Sequence, residues 1–252
     1  MSLQKCLEIL LKYWPSFLLG VRTTIVISLI GTLVGFLIGL IVGGFRAIKL
    51  DKTAPRYLKI VKIVADIIGK VYIEVFRGTP MMVQAVFIYY LVYTNIIKWD
   101  KMVAALFVIS INTGAYMSEI VRSGIQAVDE GQNEAGRALG MSSIQTMMNI
   151  VLPQAIKNVF PAIGNELIVN IKDSSVLIII SITELMFQSN SIAGTTYKFT
   201  ETYFVTAMIY LSLTLISSFV LSIIEGKINH TKTSLPQSVT YYKSIDIAKE
   251  EE

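Results

Sequence analysis

The chain has 252 residues, of which 53% are hydrophobic and only 16% charged. With a mean hydropathy of +0.60, it reads as a polytopic membrane protein, because a water-soluble domain of this length carries more charge. One cysteine, Cys6, excludes an intramolecular disulfide, and one histidine, His230, leaves no basis for a cysteine/histidine metal site. The net charge of +4 is not a nucleic-acid signature, since the basic residues sit beside apolar runs, as membrane orientation requires.

Residues 1–20 mix leucines with Lys5, Glu8 and Lys12 and include Tyr13 and Trp14. This composition predicts a helix lying in the headgroup layer, where aromatic rings and lysines are favoured. The apolar run over residues 23–45 is long enough to cross a bilayer. Within it Gly31, Gly35, Gly39 and Gly43 recur every fourth residue, which predicts a face for close helix packing inside the subunit, with self-association as the alternative. Arg46, Lys49, Lys52, Arg56, Lys59 and Lys62 follow, against Asp51 alone. By the positive-inside rule this segment is cytoplasmic and the N-terminus is outside.

A second span is expected over residues 79–93. Just before it, Glu74 and Arg77 are three apart on a helical approach and predict an ion pair, with direct solute contact as the other reading. The third span, residues 102–121, holds Asn112, Thr113 and Glu119 in an apolar context. Polar groups there are costly, which makes them candidates for function; for Glu119, pairing with Arg122 is the simpler expectation.

Residues 129–161 form the polar island of the chain. Asp129 is placed to N-cap a short helix, with Gln132 positioned to reach back to the cap, and Gly140 to end it. Ser142 with Gln145 repeats the capping pattern, and the second helix is expected to run until Pro153. A helix–glycine–helix elbow follows. Beyond it, the expected fourth span, residues 163–187, contains Asn165, Glu166, Asn170, Lys172, Asp173, Ser174 and Ser175. Glu166, Asn170 and Asp173 share one helical face, and a helix this polar must face partners or water. Asp173 reads equally as a site residue or as a tie to neighbouring helices. A fifth span covers residues 203–224, and residues 229–252 read as a solvated cytoplasmic tail.

Three motifs then carry a family resemblance. Glu134, Ala135, Gly136, Gly140, Ile150, Leu152 and Pro153 resemble the E-A-A-x3-G-x9-I-x-L-P loop of ABC importer permeases, with Gly136 in place of the third-position alanine. Glu74, Phe76, Arg77, Gly78, Thr79, Pro80 and Gln84 resemble the E-x-F-R-G-T-P-x-x-x-Q signature of the polar-amino-acid branch. The run from Gly164 to Ser175 is similar to that branch's G-N-E…K-D-[TS]-S segment. Together the resemblance spans roughly residues 20–226.

It implies an all-α membrane protein with about five transmembrane helices and a type I importer transmembrane domain over residues 21–228, C-terminus cytoplasmic, in a prokaryotic inner membrane. The elbow residues would couple to a separate ATPase. No G-x4-G-K-[ST] loop occurs, so the chain is expected to bind no cofactor and to be no enzyme; ATP and Mg belong to the partner. The further partners implied are an extracytoplasmic solute-binding protein, a second permease subunit, membrane lipid and a polar amino acid, with no nucleic acid. Asn112, Glu166, Asn170 and Asp173 are the expected substrate contacts, and a cationic substrate is favoured by the carboxylates. The alternative function is a single-component, ion-coupled transporter or channel.

Overall fold

A computed structural model describes residues 2–48 and 55–229, and among them every regular element is helical. The helices are α1 (Leu3–Lys12), α2 (Trp14–Ala47), α3 (Arg56–Gly78), α4 (Met81–Asn95), α5 (Lys101–Gln126), α6 (Glu130–Ala138), α7 (Ser143–Thr146), α8 (Leu152–Asp173), α9 (Leu185–Thr196) and α10 (Phe199–Asn229). A π turn, Met147–Val151, joins α7 to α8, and a 3-10 helix, Ser174–Ile180, follows α8. The expected tail from residue 230 onward and Lys49, Asp51 and Lys52 of the basic run lie outside the described residues.

Among the described residues three helices are long and apolar enough to cross a membrane: α2, α5 and α10. A fourth crossing is available only if residues 143–180 and α9 count together as one span broken by 57°. The fourth span expected over residues 163–187 is not one continuous α-helix: the α-helix stops at Asp173, and Ser181 turns the chain in the left-handed region at φ 63°. The expected second span, residues 79–93, falls on α4, which starts two residues later. This helix has 15 residues and reaches only about 22 Å at 1.5 Å per residue, because Pro80 blocks continuation from α3 and Thr79 before it is extended. At the N-terminus the helix expected to lie in the headgroup layer ends at Lys12, and residues 14–20 belong to α2, which Pro15 opens from its first turn.

The centre of the fold is the seam between α2 and α5, the most extensive helix pair. The glycine face does what close packing requires. A methyl group on Gly31 would lie 2.6 Å from Ile109, on Gly39 2.4 Å from Met117, and on Gly43 2.3 Å from the Ser118 carbonyl oxygen. The two backbones touch because nothing larger than hydrogen stands between them. Around this seam, Ile27, Ala105, Val108 and Ile109 pack with Leu177 and Ile180 of the 3-10 helix. A second apolar cluster ties α1 to α2, α9 and α10 through Cys6, Ile9, Phe17, Leu185 and Val205.

Candidate functional site

The elbow is built by local chemistry. Asp129 accepts the Gly131 N–H at 2.8 Å and starts α6. Gln132 does not close the expected capping box; its side-chain oxygen instead accepts from the Gln154 amide of α8 at 3.2 Å. At the other end Gly140 adopts φ 77°, and the N–H groups of Gly140 and Met141 bond the carbonyls of Arg137 and Gly136. This is a Schellman ending, which needs a left-handed residue where glycine is cheapest. Ser142 and Gln145 form the reciprocal box that opens α7.

Pro153 does not end that helix, contrary to the sequence expectation. The backbone widens into the π turn at Met147–Val151, and Pro153 falls in the first turn of α8, where its missing N–H costs little. Residues 143–173 thus form one helix with a bulge. Its base packs on the ends of α2 and α5 through Val121, Ile125, Met147, Val151 and Ala155.

The glycine at 136 has a structural reason. Gly136 is buried, and a methyl group there would lie 2.7 Å from both Cγ2 and Oγ1 of Thr146. Thr146 occupies the space an alanine would need. Its hydroxyl is buried with no partner among the described residues. Glu134, Ala135 and Gly140 are exposed, Ile150 and Leu152 half-buried and Pro153 exposed. Glu134 lines a cavity of about 290 Å³ with Glu130, Asn133 and Arg137 on one side and Ala47, Ile125 and Gln126 on the other. Sequence reasoning passes over Leu139 and Ile144, which are 79% and 63% exposed on this otherwise polar elbow. Their signal is weak, since single apolar residues on a polar loop are common.

Inside the bundle, the α3–α4 break is stitched by Gln84. Its amide nitrogen lies 2.9 Å from the carbonyls of both Phe76 and Thr79, and its oxygen accepts from Asn112 at 2.9 Å. Asn112 also donates to Phe76. Glu74, Arg77, Gly78, Thr79 and Pro80 are exposed around this stitch. The expected Glu74–Arg77 ion pair does not form among the described residues; the Arg77 guanidinium instead rests over the Tyr116 ring, 5.3 Å from its centre.

The four expected substrate contacts divide into two kinds. Asn170 is buried, accepts from Thr113 at 3.0 Å and donates to Thr32 at 2.8 Å, so it joins α8 to α5 and α2. Asn112 is committed to Gln84. Both amides are occupied by protein groups. Glu166 is half-buried and Asp173 exposed, and neither makes an ion pair or hydrogen bond among the described residues. The charges that act on Glu166 are those of Asp173 and Arg77. The expected Glu119–Arg122 pair is present at 2.6 Å, and Glu119 also holds Arg46 of α2. Among the described residues no group of acidic, histidine and cysteine side chains could hold a metal ion.

Residues 60–230 match the family of binding-protein-dependent transport system inner membrane components. This chain belongs to that family. It is an ABC permease of the amino-acid-transport type, and the family assignment displaces the ion-coupled, single-component alternative. The glutamine transport system permease protein GlnP of Escherichia coli is 38% identical over 166 residues, covering 65% of this chain and 76% of its own. The putative glutamine transport system permease of Rickettsia bellii is 36% identical over 223 residues, covering 88% and 98%. The crystal structure of an amino acid ABC transporter with histidines superposes with a TM-score of 0.74 at 38% identity, over 86% of this chain and 96% of that one. An inward-facing structure of the MetNI methionine ABC transporter shares the fold, with a TM-score of 0.71 at 19% identity over 86% and 98%.

Proposed function

We propose that this chain is the membrane-spanning permease subunit of an ATP-driven importer for a polar amino acid, a cationic one being the class its carboxylates favour, working by alternating access in a prokaryotic plasma membrane. With the short α4 and the bent residues 143–196 counted beside α2, α5 and α10 as five crossings, the N-terminus outside and the elbow and C-terminus in the cytoplasm fit the basic run after α2. The interfacial helix is α1, and the transport domain runs from α2 to α10. The observation that carries the reading is the elbow: capped at both starts and locked at Gly140, it presents Leu139 and Ile144 to solvent beside Glu134 and Ala135. A rigid, part-apolar knob on a polar surface suits docking into a groove of a partner ATPase.

ATP and Mg are bound by that partner and none by this chain. Closure of two ATPase subunits would draw the elbows of two permease subunits together and open the path outward, to receive solute from an extracytoplasmic binding protein. Hydrolysis reverses the change. Shifting a two-state equilibrium from 1:99 to 99:1 takes about 5.5 kcal/mol of differential binding, which the docked elbow must transmit. Along the path, Glu166 and Asp173 supply uncommitted negative charge for an ammonium or guanidinium, while Asn112 and Asn170 hold the helices that present them.

The test is co-purification of the tagged chain with its native ATPase, alone and with Glu134→Lys or Gly140→Asp, followed by uptake into proteoliposomes. Wild type should retain the ATPase and both variants lose it; a wild type that brings down no ATPase sinks the reading. Glu166→Gln should abolish uptake of labelled arginine, lysine or histidine with assembly intact. Uptake of glutamine alone, unchanged by that substitution, would reject the cationic substrate.

A further inference from the structure

The carboxylate of Glu119 sits where α2, α5 and, through Arg46, α3 converge. One oxygen receives the Arg46 guanidinium of α2, and the other receives Arg122 at 2.6 Å and 3.0 Å. Arg122 extends the chain of contacts by donating to Gln126 at 2.9 Å, and Gln126 lines the elbow cavity with Glu134 and Arg137. On the α3 side, the Arg46 carbonyl accepts from Lys62 at 3.5 Å, and a methyl group on Gly69 would lie 3.1 Å from the Arg46 Cδ. One turn away, Gly43 and Ser118 bring the α2 and α5 backbones together.

These groups stand between the elbow and the bundle. On one side, the apolar cluster of Ile125, Met147 and Val151 seats the elbow on the two helix ends. On the other runs the glycine seam. A carboxylate between two guanidiniums makes charge-assisted bonds to both, which are short, directional and stronger than neutral ones. Its side chain is 23% exposed, and those of Arg46 and Arg122 are 19% and 31% exposed, so solvent screens the three only in part.

We infer that Glu119 is a positioning residue for transport: with Arg46 and Arg122 it clamps the ends of α2 and α5 into one unit, so that movement of the elbow is passed to the helix pair rather than absorbed by splaying of its ends. The inference rests on the importer reading, and it concerns transmission, whereas Glu134 and Gly140 concern docking. Removal of the clamp should therefore separate two quantities that elbow variants abolish together.

The test uses the whole complex in proteoliposomes, with ATP hydrolysis and amino-acid uptake measured on the same preparation. Glu119→Gln places an amide N–H₂ against guanidinium donors and should keep the ATPase bound while lowering uptake per ATP hydrolysed at least tenfold. Arg46→Gln should do the same, and Arg46→Lys should restore most of the ratio. The double variant Arg46→Gln/Glu119→Gln should be no worse than Glu119→Gln alone, because that change already breaks the bond to Arg46. Unchanged uptake per ATP in Glu119→Gln, or losses that multiply in the double variant, would overturn the clamp. If Glu119→Gln fails to assemble, the double variant, which leaves one uncompensated guanidinium at Arg122 instead of two, decides: assembly with poor coupling supports the clamp, and failure to assemble overturns it in favour of a folding role. A wild-type complex without uptake would instead refute the importer reading itself.

Discussion

At the elbow, Asp129, Ser142 and Gln145 bond to backbone two or three residues away; along the α2–α5 seam, by contrast, Arg46 meets a partner 73 residues distant, and Asn170 meets Thr32 across 138. The first region is made of local bonds in water and keeps its shape as an exposed knob. The second depends on close approach of two backbones, with its polar ties supplied by distant parts of the chain. Changes at the elbow should therefore be graded and modest, while changes at the seam should be abrupt, since packed helices have no soft mode that admits another carbon.

The sharpest contrast is between adjacent glycines. Gly43→Val drives a side chain into the Ser118 carbonyl, whereas a methyl group on Gly44 would meet nothing within 4 Å. Gly43→Val should destabilise the detergent-solubilised protein by about 3 kcal/mol, and Gly44→Val by less than about 0.5 kcal/mol in comparison. Equal melting temperatures for the two would remove the seam from its central place. Next in size is Gln84→Leu, which removes the shorter of the two bonds made by the Asn112 amide and takes the Gln84 donor from the Phe76 and Thr79 carbonyls, while Asn112 still reaches Phe76; a loss of about 1.5 kcal/mol is expected. A thermal-shift series that finds it neutral would mean the α3–α4 break is held by packing alone.

Smaller effects come from the elbow. Alanine at 136 would gain roughly 1 kcal/mol of helix propensity but collides with Thr146. Gly136→Ala should therefore lower stability, and Gly136→Ala/Thr146→Ala should recover it and exceed wild type, because the second change also deletes a buried hydroxyl without a partner. Failure of the pair to recover would show that Gly136 serves something other than space. Ser142→Ala removes one cap of the box and should cost about 1 kcal/mol, seen as faster amide exchange over residues 142–146 with little change in global melting.

Legibility in the sequence follows the same division. The caps at Asp129 and Ser142 and the stop at Gly140 can be read because the donor, acceptor and backbone they join lie within one helical turn or a single glycine. The Gln132 cap fails for the opposite reason: Gln154, which donates to its side-chain oxygen, comes from α8. Pro153 reads as a stop, yet a π turn relocates it to a helix start, and nothing in residues 147–151 announces the wider turn. Glu184 gives no signal in the sequence, but it is fully buried and caps α9 through the N–H groups of Met186 and Phe187 at 2.7 Å while accepting from Tyr210. The cap is local; the Tyr210 bond is added only once α10 is packed beside it.

By itself the sequence determined the class, the apolar helices, the family and the spacing of the elbow, because hydropathy, capping and glycine recurrence act over a few residues at a time. Tertiary structure alone decided that the glycine face of α2 meets α5, that the fourth apolar stretch breaks at Ser181, and that Asn112 and Asn170 are spent on neighbours while Glu166 and Asp173 stay uncommitted. The physical reason is that a polar group in a membrane bundle is defined by whichever helix comes to lie against it, and that choice is made by packing along the whole length of both.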